Sequence, residues 1–346
     1  MKLQGIYGKK LCWACLFLMV IGTLAMSAAS LRAEGTWAKK ADMPTARTLL
    51  AAAVVDGIIY AIGGATVVPS KLATVEAYDP ETDTWEEKAD MPTARMFLSA
   101  ASVDGKIYAI GGEIGNLVFT RAVEVYDPVT DKWTRKADMP TSRSTCATAV
   151  VDGIIYVIGG VVGACRGTRT VEAYDPKTDK WARKADMPTG RWWAVGAAVD
   201  GVIYAIGGET SCDAPTGAVE AYDPAADVWT KMTNKPFQNR ILAPGTVAVA
   251  NGRIYVPGVE GMGSYDPVTD TWTREPNMHT PRDVSAVADV NDRIYVIGGS
   301  KAWNSLGLAA VEEFTPEGWP FSTPNLASVS PQGKLPALWS KLKVME

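Results

Sequence analysis

Seven tryptophans divide this chain like marks on a ruler. Trp37, Trp85, Trp133, Trp181 and Trp229 stand 48 residues apart; Trp272 follows after 43 and Trp319 after 47. A self-similar period near 50 residues restricts the fold, because each unit is too small to bury its own apolar face and must stack on its neighbours, in a propeller or a solenoid. The marks enclose six units. The same period carries a phrase, ADMPTAR at 41–47 and again at 89–95, ADMPTSR at 137–143 and ADMPTGR at 185–191. A chain of 346 residues in six such units makes one large domain.

Inside a unit the pattern is that of strands. The segment LLAAAVVDGIIYAIGG at 49–64 is two apolar runs joined by Asp56-Gly57, a two-residue hairpin signal. Asp104-Gly105, Asp152-Gly153, Asp200-Gly201, Asn251-Gly252 and Asn291-Asp292 repeat it. A third run, TVEAYD at 74–79, ends in the turn DPETD, and a fourth opens at Trp85 and stops at Pro92. No helical period interrupts the repeats. Four short antiparallel strands per unit and six units predict an all-β fold, a six-bladed β-propeller of four-stranded antiparallel blades. The Ala-rich first runs suit the crowded axis, and the large Tyr and Trp side chains suit the wider wedges between blades.

The order Arg, Asp-Gly, Tyr, Gly-Gly, VEAYDP, Trp resembles the kelch repeat, and all six units from residue 37 to about 316 carry most of it. The glycine doublets are 63–64, 111–112, 159–160, 207–208 and 298–299; the fifth unit departs with Pro257-Gly258. The resemblance implies a propeller that recognises proteins or glycans. It extends to exported kelch-type sialic acid epimerases, and on that alternative arginines hold a sugar carboxylate while Glu113 or Glu209 moves protons. A purely structural repeat in a surface assembly is a third reading.

Ring closure needs a strand from one end of the chain. Only four residues separate Phe314 from Trp319, against six between Tyr78 and Trp85, and Pro320 follows at once. The N-terminal strand around Trp37 is therefore expected to complete the sixth blade beside Val311–Phe314, which covers an edge that would otherwise stay open. The propeller then spans 34–316. Residues 317–346 form a tail in which Leu335, Leu338, Trp339 and Leu342 fit a short amphipathic helix.

Strand alternation puts the ADMPTAR loop and the loop after Gly-Gly on one face and the Asp-Gly and DPxTD turns on the other. Arg47, Arg95, Arg143, Arg191, Arg240 and Arg282 then enter the innermost strands at equivalent places. Two readings stay open. The six can ring one mouth as forked donors for carboxylate, sulfate or phosphate, or each can pair with an acid of its own unit, such as the Glu of VEAYD. The residues after each arginine differ between units, and Trp192 and Trp193 are the sharpest of them, with one of the pair expected to face the channel. Glu113, Glu209 and Trp303 lie in the variable loops after Gly-Gly, where binding residues concentrate. These eleven residues are the candidate binding set.

Catalytic and metal constellations are thin. His279 is the only histidine, so no multi-histidine metal site can be built, and a copper chemistry like that of galactose oxidase lacks its ligands. No glycine-rich phosphate loop precedes a helix. The expectation is no catalytic residue, no metal and no cofactor. Cys165 and Cys212 occupy near-equivalent loops of adjacent blades, a placement that suits a cross-blade disulfide, and Cys146 is left as a buried thiol.

Residues 1–33 stand apart. Lys2, Lys9 and Lys10 precede an apolar run from Leu11 to Met26, with small residues at Ser27–Ser30 and Ala33, which is the layout of a secretory signal peptide. The run of 16 residues is short of the ~20 that span a bilayer. The chain is thus expected in the periplasm or outside the cell, without stable membrane insertion, as a monomer. Removing 1–33 takes four basic and no acidic residues from 34 basic and 38 acidic, which leaves a net charge of −8 and disfavours nucleic acid as a partner. The expected partner is a protein or an acidic glycan.

Overall fold

The computed structural model of the protein describes residues 35–163, 166–212, 214–236, 245–258, 261–302 and 305–317. The expected signal peptide and amphipathic tail helix, together with Arg240, Cys165 and Trp303, fall on residues outside them. Six antiparallel sheets make up the described residues, five with their strands in sequence order from the axis outward and one whose outermost strand comes from the N-terminal end of the propeller. The first comprises Ala51–Val55, Ile58–Ile62, Val75–Asp79 and Thr84–Lys88. The innermost strands touch in a closed cycle, the sixth meeting the first. The fold is the six-bladed propeller that the period predicts.

Turn chemistry explains the tight inner hairpins. Asp56 and Gly57 have φ of 50° and 80°, the paired left-handed residues of a turn whose twist matches the strands it joins. Asn291 and Asp292 take 51° and 58° without a glycine, which Asn and Asp tolerate better than other residues.

The outer turn does a second job. Asp83 accepts hydrogen bonds from Tyr78 Oη at 2.7 Å and from Ala41 N–H at 2.8 Å, while Trp85 Nε1 donates to the Ala41 carbonyl at 3.0 Å. Each incoming segment is therefore clasped on both sides by the YDPxTDxW turn of the blade it enters. The clasp recurs with Asp131, Asp179, Asp227 and Asp270, each taking a tyrosine hydroxyl and a backbone N–H. Tyrosine and tryptophan stack within it, from 4.9 to 5.2 Å between ring centroids. These aromatic residues and the Ala of ADMP repeat because the clasp does.

The sixth blade is assembled from both ends of the chain. Thr36–Lys40 runs antiparallel to Val311–Thr315 with Trp37 opposite Phe314, the rings 5.1 Å apart, as Trp85 lies opposite Tyr78 in the first blade. Trp37 Nε1 donates to Pro276 O at 2.8 Å, and Phe314 is wholly buried. The N-terminal strand closes the ring, as the short Phe314–Trp319 spacing implies.

The fifth blade is the irregular one. Its inner strand shortens to Ala248–Ala250, and Gly245–Thr246 pairs in parallel with Val195–Gly196 of the fourth blade instead.

Trp37→Ala removes a half-buried indole, its hydrogen bond and the closing stack, and is expected to cost about 2 kcal/mol, somewhat under the usual loss for a fully buried tryptophan. Urea denaturation should give Trp37→Ala and Trp133→Ala similar losses. An unchanged midpoint for Trp37→Ala would mean that the N-terminal strand does not close the ring.

Candidate functional site

The repeated arginines are not presented at a mouth. Arg47, Arg95, Arg143, Arg191 and Arg282 are among the largest fully buried side chains of the protein. Arg47 Nη2 donates to Glu76 Oε2 at 2.7 Å and to Ala61 O at 3.1 Å, and Nη1 to Thr74 O at 2.8 Å. Thr45 Oγ1 holds the other oxygen of Glu76 at 2.6 Å. Arg143 repeats this with Glu172, Gly159 O and Thr170 O, and Thr141 takes the place of Thr45. Arg95 pairs with Glu124 at 3.1 Å, Arg191 with Glu220 at 2.9 Å, and Arg282 with Glu312. Each partner is the Glu of the third strand. Of the two sequence readings, local pairing is the one observed, and the cationic rim is corrected for these five residues.

Burial pulls the Arg47 guanidinium down to about 10 and Glu76 pulls it back up, so the guanidinium stays charged at neutral pH. The ADMPTAR phrase is now accounted for. Its Ala is clasped, its Met is core (Met43, Met91, Met139 and Met187 are at most 2% exposed), and its Thr and Arg share one buried carboxylate. In the fifth blade Gly263 stands where the others carry that glutamate.

The arginine backbone faces the other way. The Arg95 carbonyl accepts from Gly64 N–H of the preceding blade at 3.0 Å, and a Cβ on Gly63 would sit 2.6 Å from that oxygen. The glycine doublet is where the next blade docks. Beyond it Thr48 pairs with Ala65, Met96 with Glu113, and Trp192 with Glu209, which puts the loop after Arg and the loop after Gly-Gly on one face.

Two residues past each arginine the backbone turns left-handed without glycine. Leu49, Phe97, Thr145, Trp193 and Val284 have φ between 48° and 58°, a costly conformation for bulky or β-branched side chains. Hydrogen bonds from blade to blade enforce it: Leu49 N–H donates to Val284 O, Phe97 to Leu49, Thr145 to Phe97 and Trp193 to Thr145, at 3.0 to 3.2 Å. The side chains of Leu49, Phe97, Trp193 and Val284 gather with Ala65 and Met96 into one apolar cluster, against which Trp192 packs.

Beside this cluster is a pocket of about 300 Å³ with an almost wholly apolar lining. Phe97, Phe119, Trp192, Trp193, Met96 and Glu113 are its informative members. Trp193 meets Phe97 edge-on at 5.5 Å and Trp192 at 6.0 Å. Strand alternation predicts that only one of the two tryptophans faces this mouth; both line the pocket, because the left-handed turn at Trp193 breaks the alternation. Glu113 is 7% exposed, accepts from Leu117 N–H at 3.1 Å, and has its carboxyl held above the usual range by burial, against the pull of that bond and of Lys71. Glu209 is buried in the equivalent loop two blades on, outside the pocket lining.

Sequence reading missed Phe97 and Phe119. Phe97 stands 48 residues before Thr145 and 96 before Trp193 in the same register, but only the left-handed turn at that position marks it as a pocket residue. The expected axial channel is a narrow cavity of about 230 Å³, lined by small residues of the inner strands and one acid that sequence reading also missed, Asp289, whose carboxyl burial raises to about 6. Among the described residues no cluster of His, Cys, Asp and Glu could hold a metal ion. Cys146 is free and buried, and burial lifts its thiol to about 11; Cys212 is disulfide-bonded.

If the arginines are structural, Glu172→Gln should cost roughly 3–5 kcal/mol by leaving the buried Arg143 guanidinium without its countercharge. Glu172→Gln melting within a degree or two of the wild type would instead mark the pair as dispensable to the fold.

Comparison with known proteins agrees with the geometry. The kelch motif matches residues 142–188 and 194–236, and the KLHDC2/KLHL20/DRC7 kelch-repeats domain matches 23–160. A search of curated proteins gives no match. Among solved structures, "Structure of YjhT" superposes with a TM-score of 0.68 over 78% of this chain and 95% of that one, at 17% identity, a likeness of fold. With its six blades, its glycine doublets and its buried arginine pairs, the chain is a kelch-repeat protein.

Proposed function

We propose that this kelch propeller is an exported binding module that docks a partner protein on the face carrying the loops after Arg and after Gly-Gly, with the pocket at Phe97, Trp192 and Trp193 taking an anchoring side chain. The observation that carries this reading is where exposed apolar side chains collect. Val67, Ile114, Leu117, Val118, Val162 and Leu306 all stand on these loops, and Leu117 and Leu306 are 67% and 72% exposed. Exposed apolar side chains collected on one face beside an aromatic-lined hollow are the anatomy of a protein interface. On the opposite face Val129 and Val268 are single turn residues and Val228 opens an outer strand, and isolated residues of this kind need no such explanation.

Chemistry separates a protein from a glycan partner here. A sugar brings several hydroxyls that must be hydrogen-bonded when buried, and the pocket offers little beyond one carboxylate and one indole N–H. An acidic glycan would also need cations, and five of the six repeat arginines already serve buried glutamates. The disulfide at Cys212 supports an oxidising compartment, in line with the signal-like segment 1–33.

Photo-crosslinking residues placed at Leu117 and Leu306, and for comparison at Val129 and Val268, test the face. Discrete partner adducts are expected from the first pair alone and should fall at least about tenfold in Phe97→Ala, the cost of a central anchor. Equal adducts from both faces, or adducts indifferent to Phe97→Ala, would remove this reading.

A further inference from the structure

The pocket is chemically lopsided in a way that selects its occupant. Four aromatic rings, those of Phe97, Phe119, Trp192 and Trp193, share it with Met96 and a single acid. In the third strands the protein gives each buried glutamate of the repeat a guanidinium: Glu76, Glu124, Glu172, Glu220 and Glu312 each have one. Glu113 is nearly as inaccessible, and among the described residues it has one backbone N–H and no cation at ion-pair distance. Trp192 adds a second unfilled valence, since its buried Nε1 has no acceptor among the described residues.

Ligand classes can be sorted against these facts. A neutral apolar group would fill the hollow and leave the carboxylate further desolvated with no countercharge but that of Lys71, which lies beyond ion-pair distance. An anion would be repelled by it. A bare divalent cation would need about six or more oxygen ligands, and the lining supplies one carboxylate among rings. An alkylammonium group fits on every count, because its charge is spread under methyl or methylene surface that aromatic faces attract, while the carboxylate neutralises it. The acidic balance of the chain, net −4, favours the same sign of ligand.

We infer that the pocket formed by Phe97, Phe119, Trp192 and Trp193 is an aromatic cage for an alkylammonium group, with Glu113 opposite the charge and the Trp192 indole N–H donating to an oxygen of the same ligand. The inference rests on the reading of this face as the binding face. Two sources share the chemistry, a free quaternary amine and a lysine side chain of the docked protein, whose backbone carbonyl would supply the oxygen.

Titration of the whole protein, read by tryptophan fluorescence and calorimetry, tests the cage with choline, tetramethylammonium and the neutral choline isostere 3,3-dimethylbutan-1-ol. A short peptide carrying lysine, and its counterpart with norleucine, form the second arm. Choline or the lysine peptide should bind at least about tenfold tighter than its neutral counterpart, and the arm with the larger ratio identifies the source. Glu113→Gln should erase that ratio and leave the isostere unchanged. Trp192→Phe keeps a ring and removes the donor, so choline should weaken about threefold and tetramethylammonium should not change. A neutral counterpart that binds as well as its cation in both arms, or a ratio that survives Glu113→Gln, overturns the cage. If in either of those cases the Leu117 and Leu306 adducts still depend on Phe97, the docking reading stands without it; if they do not, both fall.

Discussion

Each of the five described repeat arginines is a two-sided joint that ties its blade into the ring. The guanidinium of Arg47 reaches outward into the first blade, to Glu76 and three backbone carbonyls, while the backbone of the same residue exchanges hydrogen bonds with Leu308 and Gly299 of the sixth. One residue thus fixes the radial position of its own blade and the angular position of the one before. A buried ion pair is a poor source of net stability, since desolvation cancels most of its attraction. Its value here is directional. Alternatives that misplace a blade would strand a charge in an apolar wedge, and each carboxylate is already spoken for by a threonine and an arginine at fixed spacing.

Much of this fold was legible in the sequence because its determinants are local and repeated. The tryptophan interval, the Asp-Gly turns and the short Phe314–Trp319 gap sufficed to count the blades and to name the closing strand. The direction of the arginines was not legible, because a per-blade arginine satisfies either a rim or a core and strand alternation does not separate them. The deciding fact is a contact across 29 residues, from Arg47 to Glu76, that period alone cannot point to. The pocket was half legible. Trp192, Trp193 and Glu113 stood out by composition, but Phe97 is an ordinary apolar residue until the left-handed turn at its position is known.

That turn suggests how a nearly uniform propeller acquires an individual face. From Val284 through Leu49, Phe97 and Thr145 to Trp193, one chain of backbone hydrogen bonds holds five blades in the same strained conformation. The bonds involve no side chain, so the positions are fixed in space and free in identity. Val, Leu, Phe, Thr and Trp then project from equivalent points of a frozen frame, and only the adjoining second to fourth blades combine large aromatics with a loop acid. Core positions such as the Met of ADMP and the Glu of the third strand have no such freedom, since each is packed or bonded on every side. Divergence is thereby channelled to the mouth, and specificity can arise there by substitution without disturbing the joints that hold the ring.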